Sequence, residues 1–205
     1  MPYIPESTQG LSGSIKIDTI NIAFIDSVTD MHNEGKCMDC DVALRIHFIF
    51  KDCPPDWKRN LGIFARFDKD AQGNLVHSEE NDKEIGNFLN RMEQLGLTVI
   101  TRENRKITAL KGVCVNEKGK VVLEDDTPVD DFPALIELLT KNKTYELYLN
   151  KKNGYDNILT YIDASLINDS NLGYKRFLNA VSKATSVQSE PSLKEEDVFA
   201  FVPGA

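Results

Sequence analysis

The sequence predicts a mainly β, α+β domain, and three observations carry that prediction. From Val42 the chain alternates strictly, with Val42, Leu44, Ile46, Phe48 and Phe50 on one side and Asp41, Ala43, Arg45 and His47 on the other. This is the pattern of a strand buried on one face. The most secure helical spacing is confined to residues 82–95, where Ile85, Phe88, Leu89, Met92 and Leu95 recur every three or four positions. Elsewhere short apolar runs are separated by polar and glycine-bearing turns, the punctuation of hairpins.

The elements follow in order. Residues 14–28 read as one long strand in two halves: Ile15 and Ile17 set one phase, while Ile20, Ile22 and Phe24 set the opposite one. Such a one-residue slip asks for a β-bulge or a bend. Leu61–Phe67 is a third strand, with Ile63, Ala65 and Phe67 facing in and Phe64 and Arg66 facing out, before a polar turn over Asp68–Asn74. The helix over 82–95 has Asn81 or Asp82 as N-cap and Gly96 just past its end. Thr98–Thr101 and Ile107–Val115 read as strands, with turn chemistry over Asn116–Lys120, and Asp131–Leu139 as a short helix. Thr144–Asn150 and Asn157–Asp163 form a second hairpin around Lys151-Lys152-Asn153-Gly154, and a short helix is expected near Leu172–Val181. The expected layout is therefore a domain over 1–165, an extension over 166–184, and a polar, proline-bearing flexible tail over 185–205.

Composition narrows the function classes. A chain of 205 residues supports one sizeable core. No apolar run approaches the roughly 20 residues that span a bilayer. The N-terminus lacks the regions of a signal peptide, so a cytoplasmic location is expected. Four cysteines, Cys37, Cys40, Cys53 and Cys114, are too irregularly placed for a disulfide framework. The net charge of −8 opposes a nucleic-acid partner. Its distribution softens the objection, because Glu190, Glu195, Glu196 and Asp197 gather at one end while Arg102, Arg105, Lys106 and Lys111 cluster elsewhere.

Catalysis finds little footing: no phosphate-cradling loop, dinucleotide fingerprint, zinc-protease helix or nucleophile elbow is present. The pairs Asp125-Asp126 and Asp130-Asp131 offer magnesium ligands for a nuclease, but they flank Pro128 as a solvated loop would. Cys37 and Cys40 have the two-residue gap that lets two thiolates share a zinc ion, with Cys53 and either His32 or His47 as further ligands. Reduced thiols around a loop fit the same spacing. Asp68–Glu79 nearly matches an EF-hand calcium loop, with Asp68 and Asp70 at the first and third positions, Gly73 at the sixth and Glu79 at the twelfth. A polar connection is the alternative.

The positions opposite the core set carry a different chemistry. Arg45, His47, Phe64, Arg66 and Tyr148 interleave cations with aromatic rings, which suits a surface that stacks unpaired bases and tracks phosphates. The order of elements, with a long bent first strand, two more strands, a helix and later hairpins, fits a small antiparallel barrel of the OB type. The opening strand Ser14–Val28, the segment Asn87-Phe88-Leu89-Asn90-Arg91-Met92-Glu93-Gln94-Leu95-Gly96-Leu97 and the turn Lys151-Lys152-Asn153-Gly154-Tyr155-Asp156-Asn157-Ile158 resemble the phage-type single-stranded DNA-binding proteins of viral replication and recombination. In layout the resemblance covers about residues 10–165.

Read so, bases would stack on Phe64 and Tyr148, joined by Trp57, Tyr145 or Tyr155. Arg45, Arg66, Arg102, Arg105, Lys106, Lys111, Lys151 and Lys152 would hold phosphates. The tail Glu195-Glu196-Asp197-Val198-Phe199-Ala200-Phe201 joins acids to aromatics. The resemblance implies that it recruits replication or recombination proteins and competes with DNA for the basic surface. A tethered polyanion has a high effective concentration there. No cofactor is expected. A protein-interaction module without DNA affinity, such as a viral accessory or assembly protein, is the main rival.

Overall fold

The computed structural model describes residues 14–103, 106–152 and 154–188. Eight strands and three α-helices follow in the order β1 (Thr19–Asp30), β2 (Val42–Phe50), β3 (Arg59–Ala65), α1 (Glu79–Gln94), β4 (Thr98–Glu103), β5 (Lys106–Val115), β6 (Val121–Leu123), α2 (Phe132–Thr140), β7 (Tyr145–Lys152), β8 (Tyr155–Asp163) and α3 (Leu172–Gln188). The result is a mixed α+β fold dominated by two antiparallel sheets, one of five strands in the order β3-β2-β1-β7-β8 and one of three in the order β4-β5-β6.

β1 is the hinge of the larger sheet. Its first half pairs with β7, Thr19 opposite Leu149, and its second half with β2, Asp30 opposite Leu44. The phase slip expected between Ile17 and Ile20 is absent, since Ile15, Ile17 and Ala23 keep one parity against the core; the bulge of β1 lies instead between Ile25 and Ser27. Ala23 and Val28 are both buried, two residues of opposite parity brought to one side by the bulge. Ile20, Ile22 and Phe24 therefore stand on the outer side, each more than a third exposed. Past the bulge, the Val28 N–H donates to Glu137 Oε1 of α2 at 2.7 Å.

The inner side behaves as the alternation predicts: Leu44, Ile46, Phe48, Ile63 and Ala65 are buried and join Phe88, Leu89 and Met92 of α1 and Ile136 of α2 in one core. Phe88 meets Phe67 and Phe132 edge-on, with centroids 6.0 and 6.3 Å apart. Glu79 begins α1 earlier than expected because Ser78, not Asn81 or Asp82, caps it, accepting from the Asn81 N–H at 3.1 Å. Asn81 instead stitches the preceding loop, donating to the Asp68 and Val76 carbonyls while its Oδ1 accepts the Asp68 N–H.

At the other end Gly96 (φ 68°) ends α1 in a Schellman turn, Leu97 N–H donating to Met92 and Gly96 N–H to Glu93. α3 is longer than the sequence pattern indicates and includes residues 185–188, which were expected in the tail. It packs against β8 and α1, with Phe177 buried and Ile162 of β8 beneath Gly173. The sheet's two edge strands, β3 and β8, are drawn together by the Arg59–Asp156 ion pair at 2.6 Å.

Candidate nucleic-acid interface

The outer side of β2 and β3 gathers four of the residues singled out from sequence. In the ladder Arg45 is opposite Gly62, His47 opposite Asn60, and Phe64 opposite Ala43; Arg66 follows one residue beyond β3. Phe64 is 39% exposed. Its ring leans back along the strand over Gly62, so that a Cβ there would lie 2.5 Å from Cε2 and 3.0 Å from Cζ. His47 contacts Thr29 Oγ1 at 3.3 Å on the neighbouring strand.

The cations of this surface are held by carboxylates. Arg45 donates to Glu34 at 3.2 and 3.3 Å, Arg66 to Asp39 at 3.3 Å, and Lys58 to Asp26 at 2.6 Å. Lys36, and with it Arg45, holds the Glu34 carboxyl below its usual range; the Lys58 hydrogen bond does the same for Asp26. These partners lie far away in the chain and were not visible from local patterning. Exposed Lys51 is tied by its backbone N–H to the Ile22 carbonyl, which sets it beside the apolar row Ile20, Ile22 and Phe24. Lys151 and Lys152 are exposed at the β7–β8 tip with Tyr155, which is 76% exposed and opposite Lys152. The Arg59–Asp156 pair anchors this tip beside the start of β3. Trp57 stands 42% exposed in the β2–β3 connection.

Four expected binding residues are placed elsewhere. Tyr148 is on the outer side of β7, opposite Ile20 and Thr160, yet only 1% exposed. Burial, with the nearby Asp18 carboxylate, pushes its phenol up, and its hydroxyl has no hydrogen-bond partner among the described residues. Tyr145 is in the core, its hydroxyl donating to the Leu95 carbonyl at 3.0 Å. Arg102 is committed to structure: it donates to Glu93 at 3.2 Å and to Asn90 at 2.8 Å, and Glu93 also receives Arg176 at 3.0 Å. Lys111 belongs to the three-stranded sheet, opposite Val99. Arg105, the side chain of Lys106, and the tail residues Glu195, Glu196, Asp197, Phe199 and Phe201 lie outside the described residues.

The metal candidates do not assemble. Among the described residues no group of three or more His, Cys, Asp and Glu side chains is placed to hold a metal ion. Cys37 and Cys40 share a turn, the Cys40 N–H donating to the Cys37 carbonyl at 3.0 Å, while Cys53 is buried behind β2. Burial raises both the Cys40 and Cys53 thiols, with Asp39 adding to the first, which favours the protonated form over the thiolate a metal needs. His32 is held between Asp30 and the Cys40 carbonyl.

The Asp68–Glu79 segment has strand β3 where an EF-hand has its incoming helix. Asp70 accepts the backbone N–H groups of Gln72 and Asn74, which hold its carboxyl below the usual range. Of the paired acids, Asp125 accepts the Thr127 N–H and Asp131 caps α2 at Ala134. Asp130 and Asp131 line a cleft of about 740 Å³ with Asp30, Asp41, Lys69 and Lys120, a carboxylate-rich lining unsuited to phosphate. Compared with protein-family models, curated proteins and solved structures, the chain matches none.

Proposed function

We propose that this protein binds single-stranded DNA with little sequence preference, as the phage proteins of replication and recombination that it resembles do, on the outer side of β1, β2 and β3. The observation that carries the reading is the strand order β3-β2-β1-β7-β8 with α1 after β3 and an exposed Phe64 beside Arg45 and His47. A bent β1 shared between two neighbours, with an ion pair between the edge strands at Arg59–Asp156, supports reading the larger sheet as an OB-like barrel. In such a barrel the face of the second and third strands and the adjoining loops take the oligonucleotide.

Bases would stack on Phe64, Trp57 and Tyr155, and phosphates would meet Lys51, Lys151 and Lys152 first. Arg45 and Arg66 join by exchanging Glu34 and Asp39 for phosphate oxygens, a trade between two charge-assisted partners. The proposed work is binding without turnover. The tail, with Glu195, Glu196, Asp197, Phe199 and Phe201, would recruit replication partners and compete for the same cations.

Fluorescence anisotropy of a labelled oligo-dT tests this with the full chain and with a chain ending at Gln188. Contacts to about four phosphates give a slope of log K against log salt of about −3. Tight, salt-sensitive binding that strengthens on tail removal is expected. Absence of binding by both chains at low salt overturns the proposal.

A second reading is supported by the row Ile20, Ile22 and Phe24 and by the carboxylates on the surface arginines, which suit a protein partner. It becomes the better account if DNA binding fails.

A further inference from the structure

Gly62 occupies the centre of the proposed face without a side chain of its own. It stands in β3, opposite Arg45, and its φ is not in the left-handed region, so its backbone does not require glycine. What requires it is the ring above: a Cβ on residue 62 would lie 2.5 Å from Phe64 Cε2, 3.0 Å from Cζ and 3.6 Å from Cδ2. All three are ring atoms at the far end of a rotatable side chain. Adding a methyl group therefore moves the ring and leaves the strand in place. The other neighbour under this part of the sheet is small as well, since Phe64 is opposite Ala43. Two small residues leave a shallow bed in which a large ring can lie against the backbone and still be 39% exposed.

We propose that Gly62 is a positioning residue for DNA binding, and that by omitting a side chain it holds the Phe64 ring low over β3 as the platform on which one unpaired base stacks. The inference rests on the single-strand reading above and goes further by naming the platform and what sets its posture. A low ring beside Arg45 lets a stacked base keep its own phosphate within reach of the guanidinium; a ring pushed upright presents an edge. The competing role for such a pair is structural, the ring shielding the glycine backbone of an edge strand. That role predicts a change in stability and none in base-dependent binding.

The test compares the full-length chain with Gly62→Ala, Phe64→Ala and the double variant on two probes, oligo-dT and an abasic deoxyribose-phosphate oligomer of the same length. Wild type is expected to prefer oligo-dT. Gly62→Ala and Phe64→Ala should each lose about 5- to 150-fold on oligo-dT, the range for one base–aromatic stack, with affinity for the abasic oligomer unchanged. The double variant, in which no ring is left to displace, should match Phe64→Ala. It also keeps the test decisive if the single glycine variant melts early. If wild type binds oligo-dT and Gly62→Ala binds it equally well, or the double variant loses further affinity, the inference is overturned. Loss of oligo-dT binding by Phe64→Ala but not by Gly62→Ala would leave the platform and remove the positioning role. If wild type binds neither probe, the functional reading itself has failed.

Discussion

Glu93→Ala is expected to lower the unfolding free energy by about 3–5 kcal/mol, the range for removing one partner of a buried ion pair. Glu93 is 6% exposed and accepts from Arg102 of β4 and Arg176 of α3, so one carboxylate joins three elements. Arg102 is nearly as buried, and among the described residues it keeps only Asn90 without Glu93. The stranded guanidinium is the main cost, and the release of α3 adds to it. In a domain of this size the change should appear as a fall in Tm of roughly 10 °C. Glu93→Gln, which keeps the shape and one acceptor, should lose less. A loss below about 1 kcal/mol in Glu93→Ala would mean that the three elements are joined by packing alone.

Gly96→Ala is expected to cost about 4 kcal/mol or more, from two sources that act together. A left-handed φ of 68° is strained for alanine. The added Cβ would also fall inside contact distance of Asp163 Oδ2 and Lys143 Nζ. Those atoms are an ion pair at 2.6 Å around a carboxylate only 1% exposed, and the same ammonium donates to the Gly96 carbonyl at 2.8 Å. The helix end, the start of β7 and the end of β8 thus meet at one glycine. Chemical denaturation should show the loss with an unchanged m-value. Stability close to wild type would show that the Lys143–Asp163 pair can move aside at little cost.

The sequence made some of this legible and hid the rest for identifiable reasons. β2 was readable because five large apolar residues recur at every second position, and α1 because its stripe ends on a glycine that the Schellman turn requires. The inward side of early β1 was not, since its buried residue is Ala23 while the bulky Ile20, Ile22 and Phe24 face out. Hydrophobicity pointed the wrong way there. The three-residue β6 is too short to carry a period.

The candidate site was legible in parity and hidden in occupancy. Alternation correctly put Arg45, His47 and Phe64 on one side, and it also put Tyr148 outward, which it is. Tyr148 is nevertheless buried, and alternation, which assigns a side, carries no information about what lies over that side. Arg102 resembled a free cation because its carboxylate is on a different element. The acids that hold Arg45 and Arg66 are 11 and 27 residues away.

The most direct test of the central claim is residue-resolved amide chemical shifts of the full chain during titration with oligo-dT. The account predicts that the largest changes fall on the outer strands around Thr29, Arg45, Gly62 and Phe64 and at the Lys151–Lys152 tip, with Val99 and Lys111 of the three-stranded sheet unmoved. Changes centred on β4 and β5, or none anywhere at low salt, would contradict it.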